Sequence, residues 1–320
     1  MNKYIGHQSQ ISGVDEVILA KGKGKGMTLL QVRNGMGLEI TFSADRAMDI
    51  ARVSLKGDNL GYFSPCGYVA PGFYDNRGTG FLKSFTAGFM TTCGLTAVGS
   101  PCTDDGEELP LHGTIANTPC ENYSYEETDT EIIIKAQVRD AAIFAHQLIL
   151  EREYRISKTE NKLSLCDKIK NIGSGKTPLE VLYHCNMGYP LLSENTVLDI
   201  PARSTEPRNS HAKEGLADCL KMEKPQRGYE EMCYYHTLSE GRVSAYNPDI
   251  KKRVTITFDT KELPYFTEWK MMGEHDYVLG LEPGNCLPDG RDVMREKGIL
   301  EFLQPGGEKV HHLEFDFTEE

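Results

Sequence analysis

The 320-residue chain has no uninterrupted apolar run near the roughly 20 residues that span a bilayer, so no transmembrane helix is expected. Its first ten residues, Met1 to Gln10, carry no apolar signal-peptide core, which points to a cytoplasmic protein. Cys-x-x-Cys spacing is missing. The nine cysteines (66, 93, 102, 120, 166, 185, 219, 233 and 286) are scattered and odd in number, as expected of reduced thiols. A zinc site would have to gather its ligands from distant positions, so no metal is expected. Positive charge is also short, with 35 Lys and Arg against 47 Asp and Glu, a net charge of −12. Such a surface repels phosphate backbones and anionic lipid, which excludes nucleic acid and membrane surfaces as expected partners. The run Lys21-Gly22-Lys23-Gly24-Lys25-Gly26 lacks the Gly-Lys-Ser/Thr ending of a phosphate loop, and no helical pattern follows it. It reads as an exposed basic hairpin turn.

Long amphipathic helices are absent too; the best weak candidate is 213–223. What the chain does contain is strands. Residues 131–138 are rich in β-branched side chains. Val254, Ile256 and Phe258 alternate onto one face, as do His311, Leu313, Phe315 and Phe317. Short apolar stretches at 27–33, 38–42, 163–169 and 299–303 are bounded by Gly, Asn, Asp or Pro. With 39% hydrophobic residues there is ample material for a core, and the 31 glycines and 15 prolines are spread rather than gathered into a linker. The expectation is an all-β protein, an antiparallel sandwich or barrel, with residues 1–320 forming one domain.

Four stretches set reactive side chains among Gly and Pro at strand ends: 43–50, 109–114, 179–190 and 280–285. In the third, alternation puts Glu180, Leu182, His184 and Asn186 on one face and Leu179, Val181, Tyr183 and Cys185 on the other. In the fourth, Glu282 closes an apolar strand over 277–281, and Pro283 favours extended geometry at Glu282. A partly desolvated carboxyl there has a raised pKa and is a better base. Arg152 shares a face with Leu148, Leu150 and Tyr154, so its guanidinium needs either a structural carboxylate or a ligand. Trp269, the only tryptophan, either stacks on a sugar ring or fills the core.

Taken together, Asp45-Arg46-Ala47-Met48-Asp49-Ile50, Thr91 to Leu95, Leu111-His112-Gly113-Thr114, Tyr183 to Pro190 and Gly280 to Asn285 resemble the galactose mutarotase-like superfamily of aldose 1-epimerases. The likeness is to its branch described as a domain of unknown function (DUF4432), and the motifs span about residues 40 to 290. The resemblance implies a large twisted antiparallel β-sandwich with a sugar cleft. It further implies His184 as the acid that protonates the ring oxygen, Glu282 as the base at the anomeric hydroxyl and His112 as a substrate-binding partner. Arg46, Asp49, Arg152, Asn186 and Trp269 are then candidates for binding hydroxyls or stacking on the ring. An arginine pair would suit a carboxylate- or phosphate-bearing sugar. A Glu–His pair on opposite sides of the C1–O5 unit would open and reclose the pyranose with no cofactor and no metal. The expected partner is a monosaccharide or sugar derivative. The alternative is a non-catalytic carbohydrate-binding protein on the same fold.

Overall fold

The computed structural model describes residues 3–320. Two large antiparallel sheets hold most of the chain. In the first, neighbouring strands run Gly13–Ile18, Thr28–Arg33, Leu38–Ser43, Asp49–Leu55, Met90–Leu95, Thr177–Met187, Tyr277–Gly284, Tyr265–Met272, Met232–Leu238 and Ala202–Pro207. The second runs Asn122–Glu127, Glu131–Ala141, Gln147–Ser157, Lys162–Asn171, Glu308–Glu319, Lys252–Phe258, Arg242–Asn247 and Val197–Asp199. The expected all-β antiparallel sandwich is therefore what forms.

Period-2 patterning builds the interior. Ile132, Ile134 and Val138, Leu148, Leu150 and Tyr154, and Leu313, Phe315 and Phe317 all point inward from the second sheet. Leu179, Val181, Tyr183, Cys185 and Met187 meet them from the first, and together they form one apolar core. The basic glycine run lies in the turn between Gly13–Ile18 and Thr28–Arg33, as expected. The weak helix over 213–223 is shorter and earlier: a helix at Ser210–Glu214, then a 3-10 turn at Leu216–Asp218. Asn209 caps it, accepting from the Ala212 N–H at 2.8 Å. Glu282 does not close its strand; Tyr277–Gly284 continues through Glu282 and Pro283. All nine cysteines are free thiols. Among the described residues no helix is long and apolar enough to cross a membrane.

Candidate active site

Because Leu179, Val181, Tyr183 and Cys185 take the core side of Thr177–Met187, the alternate residues face away from the core. The register Cys185 to Leu281 and Leu182 to Gly284 sets His184 across from Glu282. On the next pair Glu282 lies opposite Thr267, and Gly280 opposite Trp269. Cys233 follows opposite Trp269. Four strands thus deliver His184, Glu282, Trp269 and Cys233 to one face. Loops close over it: the 3-10 turn Gly80–Lys83 brings Phe81, and Phe85 follows. His112 enters on a turn with φ +58°, its N–H donating to Gly99 O at 3.0 Å. The result is a cleft of about 320 Å³ that Arg208 and Glu231 also line.

His184 Nε2 and Glu282 Oε1 lie 3.2 Å apart. The contact is off-line, leaving Glu282 Oε1 and His184 Nδ1 without an aligned hydrogen-bond partner. Burial drives both groups toward their uncharged forms. His184 is pushed down to about 4, and Glu282 is raised well above the usual carboxylate range, Glu231 adding to the effect. Burial likewise pushes His112 down to about 3, helped by nearby His184 and Arg208. The rings of Trp269, Phe85 and His112 surround His184 with centroids at 5.2, 5.4 and 5.6 Å.

Gly280 makes room for this arrangement. A Cβ there would fall 2.2 Å from Glu282 Oε1 and 3.0 Å from Trp269 Cβ. Trp269 is held from its other side, its Nε1–H donating to Glu231 Oε2 at 2.7 Å.

Not every expected residue reaches the cleft. Arg152 is wholly enclosed, with Nε and Nη2 donating to Asp167 at 2.8 and 2.6 Å and Nη1 to Asp49 Oδ1 at 2.7 Å. Its partners are structural carboxylates rather than a ligand. Asp49 is occupied by the same guanidinium and by Thr92, whose N–H donates at 2.9 Å and whose hydroxyl donates at 2.7 Å. Arg46 donates to Asn117 Oδ1 at 3.0 Å. Arg46 and Asp49 share a crevice of about 10 Å³, room for one water at most. Asn186 is buried beyond His184, its Nδ2 donating to the His184 carbonyl at 2.8 Å. The strand pattern put Asn186 on the right face, but the cleft ends before it. The arginine pair expected for an acidic sugar is therefore absent from the cleft.

Arg208, Glu231, Cys233, Phe81 and Phe85 were not foreseen. Arg208 and Glu231 belong to no motif; they flank the strands Ala202–Pro207 and Met232–Leu238 and are brought in by cross-strand pairing and by loops folding over that face. A second His–Glu contact, His236 Nε2 to Glu268 Oε2 at 2.9 Å, sits on the core side of its strands and does not line the cleft. A larger groove of about 600 Å³ lies over the outer face of the second sheet, where Lys135 pairs with Glu153 at 3.5 Å and Lys170 with Glu151 at 2.7 Å. It is a solvated sheet face whose charges satisfy one another.

Comparison with known proteins agrees with this architecture. Residues 24–317 match the family described as Domain of unknown function (DUF4432), and the chain belongs to that family. A Klebsiella pneumoniae protein provisionally described as an aldose 1-epimerase superposes with a TM-score of 0.91 at 29% identity, covering 96% of this chain and 83% of that one. A galactose mutarotase-like protein from Clostridium acetobutylicum shares the fold at TM-score 0.71 and 12% identity, covering 97% and 100%. Galactose 1-epimerase from Lactobacillus acidophilus does so at 0.65 and 13%, covering 96% and 99%. A search of curated proteins gives no match.

Proposed function

We propose that the protein interconverts the α and β anomers of a monosaccharide or sugar derivative, the whole chain acting as one sugar-binding domain. The observation that carries this reading is the His184–Glu282 contact of 3.2 Å at the base of a ring-sized cleft beside Trp269. The two groups are adjacent, not on opposite sides of a sugar. Adjacency suits the chemistry, because O1 and O5 are bonded to the same carbon.

Burial favours an uncharged resting pair, with Glu282 as the carboxylic acid and His184 as the neutral imidazole. Ring opening removes a proton from the anomeric hydroxyl and adds one to O5. A pair with one acidic proton and one vacant basic nitrogen does both, each transfer contributing about 10²–10⁴-fold. In this protonation state His184 accepts and Glu282 donates. The opposite protonation state, with Glu282 as base and His184 as acid, has the roles the resemblance implies. Rotation about C1–C2 and closure from the other face reverse the transfers. Nothing is oxidised and no group leaves, so the reaction needs no cofactor. His112 and Trp269 hold the ring, Trp269 by stacking on its C–H face.

The test is polarimetry or NMR exchange on freshly dissolved single anomers of aldoses, uronates and sugar phosphates. Acceleration over the spontaneous rate supports the reading. A sugar that binds without acceleration would make this a carbohydrate-binding protein. The pH profile is set by the pair. The catalysed rate should hold level through mid-range pH and fall near pH 4, where His184 takes up a second proton, rather than near the ordinary 6.5. It should fall again on the alkaline side, where Glu282 loses the shared proton. An acid limb near 6.5 contradicts this assignment.

Gly280→Ala tests the geometry without touching a reacting group. The Cβ meets the movable end of Glu282 and, at 3.0 Å, Trp269 Cβ, so the carboxyl shifts while the indole gives by a few tenths of an ångström, and the melting temperature checks that the fold accommodates both. A displacement of that kind should cost about 10²-fold in rate. Parent-like rates with the same fold would show that the carboxyl position is not critical.

A further inference from the structure

The cleft is lined unevenly with respect to charge, and this bears on which sugar it takes. Among the described residues that line it, Arg208 is the only permanent cation. Its Nη2 is fully engaged and its other donors face protein groups. Nη2 donates to Ser100 Oγ at 2.8 Å and to Pro288 O at 3.1 Å. Nη1 reaches Cys233 Sγ at 4.0 Å, and Nε lies 3.4 Å from Asp289 Oδ1. Asp289, which also pairs with Lys297 at 3.0 Å, offsets part of the charge, and the guanidinium braces the loops that carry Ser100 and Pro288. Arg46 and Arg152 lie outside the cleft in their own networks. No free bidentate fork remains for a phosphate or carboxylate.

Glu231 is the opposite case. It stands at the rim, and only Oε2 is used, by the Trp269 Nε1–H at 2.7 Å. The hydrogen bond fixes the carboxylate beside the stacking indole and leaves Oε1 to accept from sugar hydroxyls. Its field also reaches inward: after burial, it is the largest contributor raising Glu282, and it adds to the raised Cys233 thiol as well.

We propose that Glu231 is the specificity-determining residue of the cleft, accepting hydroxyls of uncharged or amino sugars and rejecting sugars that carry a phosphate or carboxylate. The inference rests on the sugar-binding reading above. Like charges brought together in a half-enclosed, apolar cleft repel, while a neutral sugar exchanges water for a carboxylate acceptor.

Trp269, the only tryptophan, makes cleft occupancy readable by intrinsic fluorescence, with calorimetry as the second measurement. The probes are galactose, glucose, glucosamine, galacturonate and glucose 6-phosphate, titrated into the parent chain and into Glu231→Gln. Glutamine keeps an acceptor for the indole N–H and removes the charge. The parent should bind galactose or glucosamine at least about tenfold more tightly than galacturonate or glucose 6-phosphate, a gap of about 1.4 kcal/mol. The gap should narrow as salt is raised, because Glu231 is exposed. In Glu231→Gln it should close by about tenfold. A residue that merely holds Trp269 would shift every sugar alike and leave the ratio unchanged, and that result overturns the proposal. So does a parent chain that binds galacturonate or glucose 6-phosphate as tightly as galactose. If no sugar perturbs Trp269 or gives heat, the sugar-binding reading itself fails; sugars that bind without regard to charge sink only the role of Glu231.

Discussion

Replacing Glu282 by glutamine should slow anomer interconversion by about 10²–10⁴-fold while sugar affinity stays near that of the parent chain. Glutamine keeps the shape and an acceptor oxygen but cannot cycle a proton, so about 3–5 kcal/mol of transition-state stabilisation is lost. Burial drives the Glu282 carboxyl toward its uncharged form, and the glutamine amide that replaces it is uncharged too. The fold should persist, checked by an unchanged melting temperature. His184→Ala should lose affinity as well as rate, because it removes the ring that packs at 5.2 Å from Trp269 along with the proton carrier. A fully active Glu282→Gln variant would require another proton-transfer group. Asp49 is a poor substitute, since both its oxygens are engaged by Arg152 and Thr92 away from the cleft.

Arg152→Met should be the most destabilising of the substitutions considered, at about 3–5 kcal/mol. The guanidinium joins Asp167 of the second sheet to Asp49 of the first and also donates to Ala47 O at 2.8 Å and Thr92 Oγ1 at 2.7 Å. Methionine fills much of the same volume but leaves two buried carboxylates without their cation. Urea unfolding at neutral pH should show the loss, and Arg152→Lys, which keeps a cation but not the forked donor geometry, should recover part of it. A lysine variant as unstable as the methionine one would mean that fork geometry and packing, not the missing charge, account for the loss.

The faces of the strands were legible in the residues alone. Alternation is a local property, and it correctly sorted His311, Leu313, Phe315 and Phe317, then Leu148, Leu150, Arg152 and Tyr154, to the buried side. It also separated Glu180, Leu182, His184 and Asn186 from Tyr183 and Cys185, so His184 was on the correct face before any partner was known. Local chemistry also showed that Arg152 required a partner, because a guanidinium among apolar neighbours is unstable alone.

What the partners are was decided only by the tertiary structure. Asp167 meets Arg152 as its cross-strand neighbour in the second sheet, and Asp49 meets it because the first sheet stacks on the second; nothing in the chain beside Arg152 names either. His184 faces Glu282 through a register set by side chains along the whole of two strands, and a slip of one residue would turn either away. Glu231 and Arg208 carry no local signature, since charged residues beside strands are ordinary surface. They become cleft residues because the Met232–Leu238 strand pairs with the one bearing Trp269 and because loops fold back over that face. Side-chain direction follows from the pleat over a few residues, whereas the meeting of distant groups depends on cross-strand pairing and loop packing, which no single stretch of sequence contains.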